Sequence, residues 1–224
     1  TDLGGFIAST FKRGIDFVNI PTTLLGQVDA SIGGKTGVNL EDSKNQIGTF
    51  STPLFTLVDS VFLDTLPERE FLSGMGEVIK YSLIIEEKLL SLISSSLSLN
   101  DNLNEIIKTC IEIKQGIVNR DYRETGERKK LNFGHTVGHA IESYSLKNHP
   151  NSLLHGEAIV LGMIVELYLS YELCGFPKEK MQEIEGQLYS QLDATVFPPN
   201  FLPFSSNVTS KILDFAANDK KNKD

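Results

Sequence analysis

The chain has four histidines, and two of them, His135 and His139, stand four residues apart. On a helix, residues at i and i+4 share a face about 6 Å apart, close enough for two imidazoles to serve one metal ion or one substrate. His155 stands in Leu154-His155-Gly156-Glu157, where the next apolar-periodic segment begins. The positive end of a helix disfavours imidazolium, so a histidine there stays neutral, as a metal ligand must. A third kind of ligand is offered by Glu77 in Gly74-Met75-Gly76-Glu77-Val78-Ile79-Lys80. Glu77 and Lys80 are i, i+3 neighbours amid apolar residues, so they are either a surface ion pair or a polar pair facing something packed closely against the two glycines. Two histidines and a glutamate leave coordination positions open, which is the arrangement of a catalytic metal site. That donor mixture suits zinc, and cobalt or manganese also fits. His149 lies in the polar loop Lys147-Asn148-His149-Pro150-Asn151 and reads as solvated.

The element expected to carry this chemistry is a helix over 128–145. Phe133, Val137, Ala140, Ile141 and Tyr144 would form its core-facing stripe, and Arg128, Asn132, His135, His139 and Glu142 a polar stripe of the same period. A solvated face usually carries interchangeable lysines and glutamates; this one carries arginine, asparagine and two histidines. A helix over 102–119 places Lys114 within the apolar stripe Leu103, Ile106, Ile107, Cys110, Ile111 and Val118. A lysine pointing inward is costly unless it meets an anion, and the alternative is a side chain that snorkels to water.

Ser31-Ile32-Gly33-Gly34-Lys35-Thr36-Gly37 resembles a phosphate loop. The Walker A pattern fails, because Asp29 stands where its first glycine belongs and no strand leads directly in. Closely spaced glycines still let backbone N–H groups approach a phosphate, with Lys35 supplying charge and Asp29 and Lys44-Asn45 flanking. Strand-like runs lie at 16–20, stopped by Pro21, and at 54–58. Helical patterns lie near 68–85, 102–119, 128–145, 156–174, 178–192 and 206–218. The expected organisation is therefore an α/β remnant of a nucleotide-binding domain over 1–66, followed by an all-α metal-binding domain over 67–224, with the boundary near Leu66-Pro67.

The 224 residues carry a net charge of −8, with 40% apolar and 22% charged residues, ordinary for a soluble globular protein. An acidic chain without a basic block is a poor partner for nucleic acid or an anionic membrane, so an anionic substrate must be held by a few local cations. No apolar run reaches the ~20 residues of a membrane span, and no segment reads as a signal peptide. The opening Thr-Asp-Leu-Gly-Gly-Phe, without an initiator Met, reads like the middle of a protein. Cys110 and Cys174 lack metal or disulfide spacing and are expected to be buried thiols in a reducing cytoplasm.

Several motifs together resemble the 3-dehydroquinate synthase family. They are Arg13-Gly14-Ile15-Asp16, Pro21-Thr22-Thr23-Leu24-Leu25, Gln27 through Gly37, Lys44-Asn45, Leu66-Pro67-Glu68-Arg69-Glu70, Glu77-Val78-Ile79-Lys80, Leu131-Asn132-Phe133-Gly134-His135, Gly138-His139-Ala140-Ile141-Glu142, His155-Gly156-Glu157 and Asp219-Lys220-Lys221. They run in the family's order over nearly the whole chain. The resemblance implies a two-domain lyase of the shikimate pathway acting on 3-deoxy-D-arabino-heptulosonate 7-phosphate, with NAD and a divalent metal, zinc or cobalt, as cofactors. It implies metal ligation by Glu77, His135 and His155. Substrate roles would fall on Asp29, Lys35, Asn45, Lys80, Lys114, Arg128, Asn132, His139 and Lys220. Arg13 would be lent across a homodimer interface to the phosphate. NAD contacts would fall on Asp2, Thr22, Thr23, Lys35, Lys44 and Phe62-Leu63-Asp64-Thr65. The family's glycine-rich nucleotide loop would precede Thr1. Sister sugar-phosphate cyclases share most of these motifs, and a helical metallohydrolase built on His135 and His139 is the reading that needs neither NAD nor the lysines.

Overall fold

The computed structural model of the chain describes residues 1–40, 43–85, 89, 92–93, 102–191, 209, 211–213 and 216, with the backbone alone at 40, 43–45, 190 and 191. The chain forms two compact units, residues 1–131 and 132–224. The boundary expected at Leu66-Pro67 falls within the first of them.

In the first unit, helix α1 (Asp2–Thr10) leads into a single 3-10 turn at Phe11–Arg13. The two strand-like runs expected at 16–20 and 54–58 do meet. Leu54 N–H donates to Phe17 O, Asn19 N–H to Phe55 O and Leu57 N–H to Asn19 O, but the only ladder pair between them is the parallel bridge Asn19–Thr56. Pro21 and Pro53 remove backbone donors at either edge of this pairing, which keeps it short. The glycine-rich segment differs from the loop read in the sequence. Only 31–34 turns, with Gly33 and Gly34 at φ 98° and 67°. The rest is an antiparallel hairpin, β1 (Lys35–Leu40) and β2 (Ser43–Phe50), pairing Lys35 with Phe50, Thr36 with Thr49 and Gly37 with Gly48.

Helix α2 (Glu68–Ile84) starts after Pro67, with Glu68 and Glu70 in the first turn, where carboxylates favour the positive helix end. Its residues from Ser73 to Ser82 are all buried. Gly74 allows this: a Cβ there would lie 2.8 Å from the Leu25 nitrogen. Helix α3 (Leu103–Arg120) buries Leu103, Ile106, Ile107, Cys110, Ile117 and Val118, and it buries Lys114 with them. Leu24, Val28, Met75, Val78, Tyr81, Ile106 and Cys110 form the centre of this core.

The continuous helix expected over 128–145 is two elements. A 3-10 turn covers Glu127–Asn132, and helix α4 runs from His135 to Asn148. Gly134 breaks the path at φ 77°, a left-handed conformation. A side chain there would meet the Ile159 carbonyl oxygen at 2.8 Å and run into Met163. Arg128 and Asn132 therefore do not share the helix face of His135, His139 and Glu142, and Phe133 is not part of its apolar stripe. Helix α5 (His155–Cys174) follows, stopped by Gly175 at φ 71°, and then helix α6 (Lys178–Gln191). Cys174, expected to be buried, is exposed at the last position of α5, where the helix face has turned outward. Ala140, Ile141, Tyr144, Leu153, Ala158, Leu161 and Ile212 make the second core. Helices α4 and α5 approach backbone to backbone: a Cβ at Gly138 would sit 2.9 Å from the Ala158 oxygen, and one at Gly162 2.6 Å from the Gly138 nitrogen. The helix expected at 206–218 lies largely outside the described residues; 209, 211–213 and 216, which are described, are helical. Among the described residues no helix is long and apolar enough to cross a membrane.

Candidate active site

Three of the four histidines meet in the second unit. His135 opens α4, His139 follows one turn later and His155 opens α5. Their ring centroids are 5.2 Å apart for His135–His139 and 5.6 Å for each pair involving His155. One ring nitrogen from each lies within 4.8 Å of the others, a spacing at which they could hold one metal ion. The first turns of both helices are secured by glutamates. Glu157 Oε2 accepts the Leu154 N–H at 2.8 Å, the backward half of a capping box, which fixes the turn that begins with His155. Glu166 Oε2 accepts the Gly134 N–H at 2.8 Å, immediately before His135. His135 Nδ1 lies 3.2 Å from Phe133 O, and His155 Nδ1 lies 3.1 Å from Glu142 Oε2. An acceptor on Nδ1 selects the tautomer protonated there and leaves Nε2 as a lone pair, the form a metal binds. The donors therefore suit a divalent metal such as zinc.

A second polar cluster lies in the core of the first unit. Lys114, the lysine read as pointing inward, places Nζ 2.8 Å from Asp29 Oδ1 and 2.7 Å from the Asp29 carbonyl oxygen, so it meets an anion rather than snorkelling. The Tyr81 hydroxyl donates to the same Asp29 Oδ1 at 2.5 Å. Lys80 pairs with Glu77, both fully buried. Burial alone would raise the Asp29 carboxyl, but the charges of Lys114 and Lys80 and the hydrogen bonds from Lys114 and Tyr81 outweigh it and hold it well below the usual carboxylate range. Burial pushes the Cys110 thiol up to about 12, with Asp29 and Glu77 adding to the effect. Arg128, also buried, donates from Nη1 to Tyr122 O at 2.7 Å and from both Nη atoms to Gly33 O at 3.2 Å. Its own N–H goes to Asp121 Oδ2 at 2.9 Å; Asp121 also takes the Thr125 and Gly126 N–H groups and so shapes the turn that presents the arginine.

Most of the other expected residues are dispersed in the first unit. Lys35 is exposed and pairs with Glu124, a non-glycine residue at φ 60°. Asp2 begins α1 and accepts from the Thr1 hydroxyl at 3.2 Å. Thr23 Oγ1 accepts the Gly26 N–H at 3.1 Å, while Thr22 is exposed. Leu63 is buried in a 3-10 turn at Ser60–Leu63, with Phe62, Asp64 and Thr65 exposed around it. Arg13 is exposed at φ 68°. Asn132 is half-buried and belongs to the second unit. The side chains of Lys44 and Asn45, and all of Lys220, lie outside the described residues. Sequence reasoning assigned no role to Tyr81 or Glu142. The available signal was position alone: Tyr81 stands four residues after Glu77, and Glu142 three after His139.

Two family models match the chain, 3-dehydroquinate synthase N-terminal over residues 1–73 and 3-dehydroquinate synthase C-terminal over residues 74–222. A relative described as 3-dehydroquinate synthase, from Alkaliphilus metalliredigens, is 42% identical over 99% of the chain. The chain spans 61% of that relative's length. Among solved structures, ValA (2-epi-5-epi-valiolone synthase) from Streptomyces hygroscopicus with NAD+ and Zn2+ bound matches 97% of this chain and 60% of its own, at 26% identity and a TM-score of 0.80. A 2-deoxy-scyllo-inosose synthase complexed with carbaglucose-6-phosphate, NAD+ and Co2+ matches 98% of this chain and 58% of its own, at 27% identity and a TM-score of 0.79.

Proposed function

The chain belongs to the 3-dehydroquinate synthase family, and on that premise we propose that it carries the metal- and substrate-binding part of an NAD- and metal-dependent lyase that converts 3-deoxy-D-arabino-heptulosonate 7-phosphate to 3-dehydroquinate and phosphate. The observation that carries this reading beyond membership is the meeting of His135, His139 and His155 with their nitrogens within 4.8 Å. When bound, NAD supplies transient hydride acceptance and the divalent metal, zinc first and cobalt second, polarises the hydroxyl being oxidised. Residues 1–66 would serve NAD and residues from 67 onward the metal and substrate.

His135 and His155 would hold the metal together with Glu77, whose place in the ligand set rests on the family pattern. Lys35, Lys80, Lys114 and Arg128 would grip the phosphate and carboxylate of the substrate, with Asp29, Asn45, Asn132 and Lys220 completing its hydrogen bonds. Support comes from Asp29 and Glu77, which keep Lys114 and Lys80 charge-balanced inside the core before any substrate arrives. His139 would hydrogen-bond the departing phosphate and hold a proton for it. The protein would act in the cytoplasm, consistent with two free thiols, and as a homodimer in which Arg13 reaches the partner's substrate phosphate.

Phosphate release by the full chain, given NAD and zinc, should follow 3-deoxy-D-arabino-heptulosonate 7-phosphate. Release from glucose 6-phosphate in its place would assign the protein to another sugar-phosphate cyclase. Hydrolysis that needs zinc but ignores NAD would favour the metallohydrolase.

A further inference from the structure

We infer that Glu142 is a positioning residue for His155, holding its imidazole in the one tautomer and orientation in which the ring can ligate a metal; the inference rests on the metal-centre reading above. Glu142 lies on α4, seven residues after His135 and three after His139, so it continues their helix face. Its neighbours Ala140 and Ile141 are in the apolar core of the second unit, and only 5% of Glu142 is exposed. A carboxylate withdrawn from water at such a place is costly unless it accepts hydrogen bonds. It stands 3.1 Å from His155 Nδ1.

The consequence for His155 follows from the chemistry of the ring. A carboxylate accepts only, so the nitrogen facing it must carry the proton. The remaining nitrogen then holds a lone pair, and the imidazole cannot adopt the opposite tautomer without setting lone pair against carboxylate. The carboxylate also draws the Nδ1 proton toward itself, which makes the other nitrogen a stronger donor. Helix α4 thus supplies two cluster histidines directly and governs the third, on α5, through Glu142. Glu157, in the first turn of α5, acts differently. It accepts the backbone N–H of Leu154 at 2.8 Å and so holds the main chain that leads into the helix.

The test uses the full chain and zinc alone. Glu142→Gln keeps the side-chain size but puts an amide where a full acceptor charge was. Zinc affinity, measured by competition with a chromogenic chelator, should weaken by about 10–100-fold, the usual effect of losing an outer-shell partner of a metal ligand. Glu142→Asp, which keeps the charge at a longer reach, should fall between wild type and Glu142→Gln. Nitrogen-15 NMR of the zinc-free wild-type chain should find His155 protonated at Nδ1, a readout that a merely structural carboxylate would not move and that needs no variant to fold. A His155 protonated at Nε2, or a Glu142→Gln chain that binds zinc within twofold of wild type, overturns the inference while leaving the metal centre standing. A wild-type chain that binds no zinc overturns the metal-centre reading and this inference with it.

Discussion

Replacing Asp29 with alanine removes one carboxylate and strands two buried partners. Lys114 Nζ loses an oxygen at 2.8 Å and the Tyr81 hydroxyl loses one at 2.5 Å. Removing one member of a buried ion pair costs about 3–5 kcal/mol. Stranding a buried hydroxyl costs about 1–3 kcal/mol. The two losses share one acceptor and do not add. Two features pull the sum down: the Asp29 side chain keeps 20% of its surface exposed, and Lys114 keeps its 2.7 Å bond to the Asp29 carbonyl oxygen. We therefore expect about 3 kcal/mol, the lower end of the ion-pair range. Cys110 reports on the same core, being fully buried with its thiol pushed up to about 12, so a maleimide reaches it only when the first unit opens. Exposed Cys174 labels at once in every variant and serves as the internal control. Where reclosing outruns labelling, the rate follows the opening equilibrium, and about 3 kcal/mol appears as labelling roughly 150-fold faster. Adding Lys114→Met to Asp29→Ala removes the stranded ammonium and should recover much of the loss. Cys110 labelling within threefold of wild type in Asp29→Ala, or a double variant no better than the single, would refute the assignment of Asp29 as the counter-ion.

Because the Asp29 carboxyl is held well below its ordinary range by Lys114 and Lys80, its contribution is complete above the unfolded value of about 4 and is lost as pH falls through the depressed folded value. Urea midpoints should therefore drop with acidification below about pH 4 more steeply in the wild type than in Asp29→Asn, and equal slopes would contradict this. Gly134→Ala forces a side chain into a left-handed backbone at φ 77° and against Ile159 O, so thermal unfolding of the second unit should show a loss of at least about 2 kcal/mol. Gly186→Ala, in α6 with open space around it, should instead stabilise by about 0.5–1 kcal/mol, and the same melts check both. Metal analysis should find His135→Ala empty and His139→Ala loaded, with turnover of the latter lowered by about 10²–10⁴; equal loss of metal in both would undo their separate roles.

Much of the helical framework was legible, and the reason is length and period. Helices α2, α3, α5 and α6 repeat apolar residues along their length, with proline or glycine at an end of α2, α5 and α6, and the structure places all of them within one or two residues of expectation. Lys114 was legible because it interrupts an apolar stripe, and His155 because an apolar helix begins beside it. Two features were hidden. The period runs unbroken from Arg128 through Asn132 to His135, yet the path breaks at Gly134 because Ile159 and Met163, more than twenty residues away, occupy the space its side chain would need. The hairpin at 35–50 was hidden because its strands are polar and glycine-bearing, with no alternating apolar face; its pairing shows only in cross-strand contacts such as Thr36 Oγ1 to Thr49 Oγ1 at 2.7 Å.

The contact between α4 and α5 runs through Gly138 and Gly162, where each helix touches the other's main chain. Side-chain interfaces have slack: a leucine can change rotamer, a methionine can extend, and the gap between two helices drifts with every core substitution. Main chain against main chain has no such play. The distance from His135 and His139 to His155 is therefore a property of peptide geometry, held constant while the surrounding core is free to vary in composition. The tolerance of the site is decided at two positions that carry no side chain and would never appear in a roster of ligands. Enlarging either of them by a single methyl group should detune the donor set as surely as deleting a histidine, through spacing rather than chemistry.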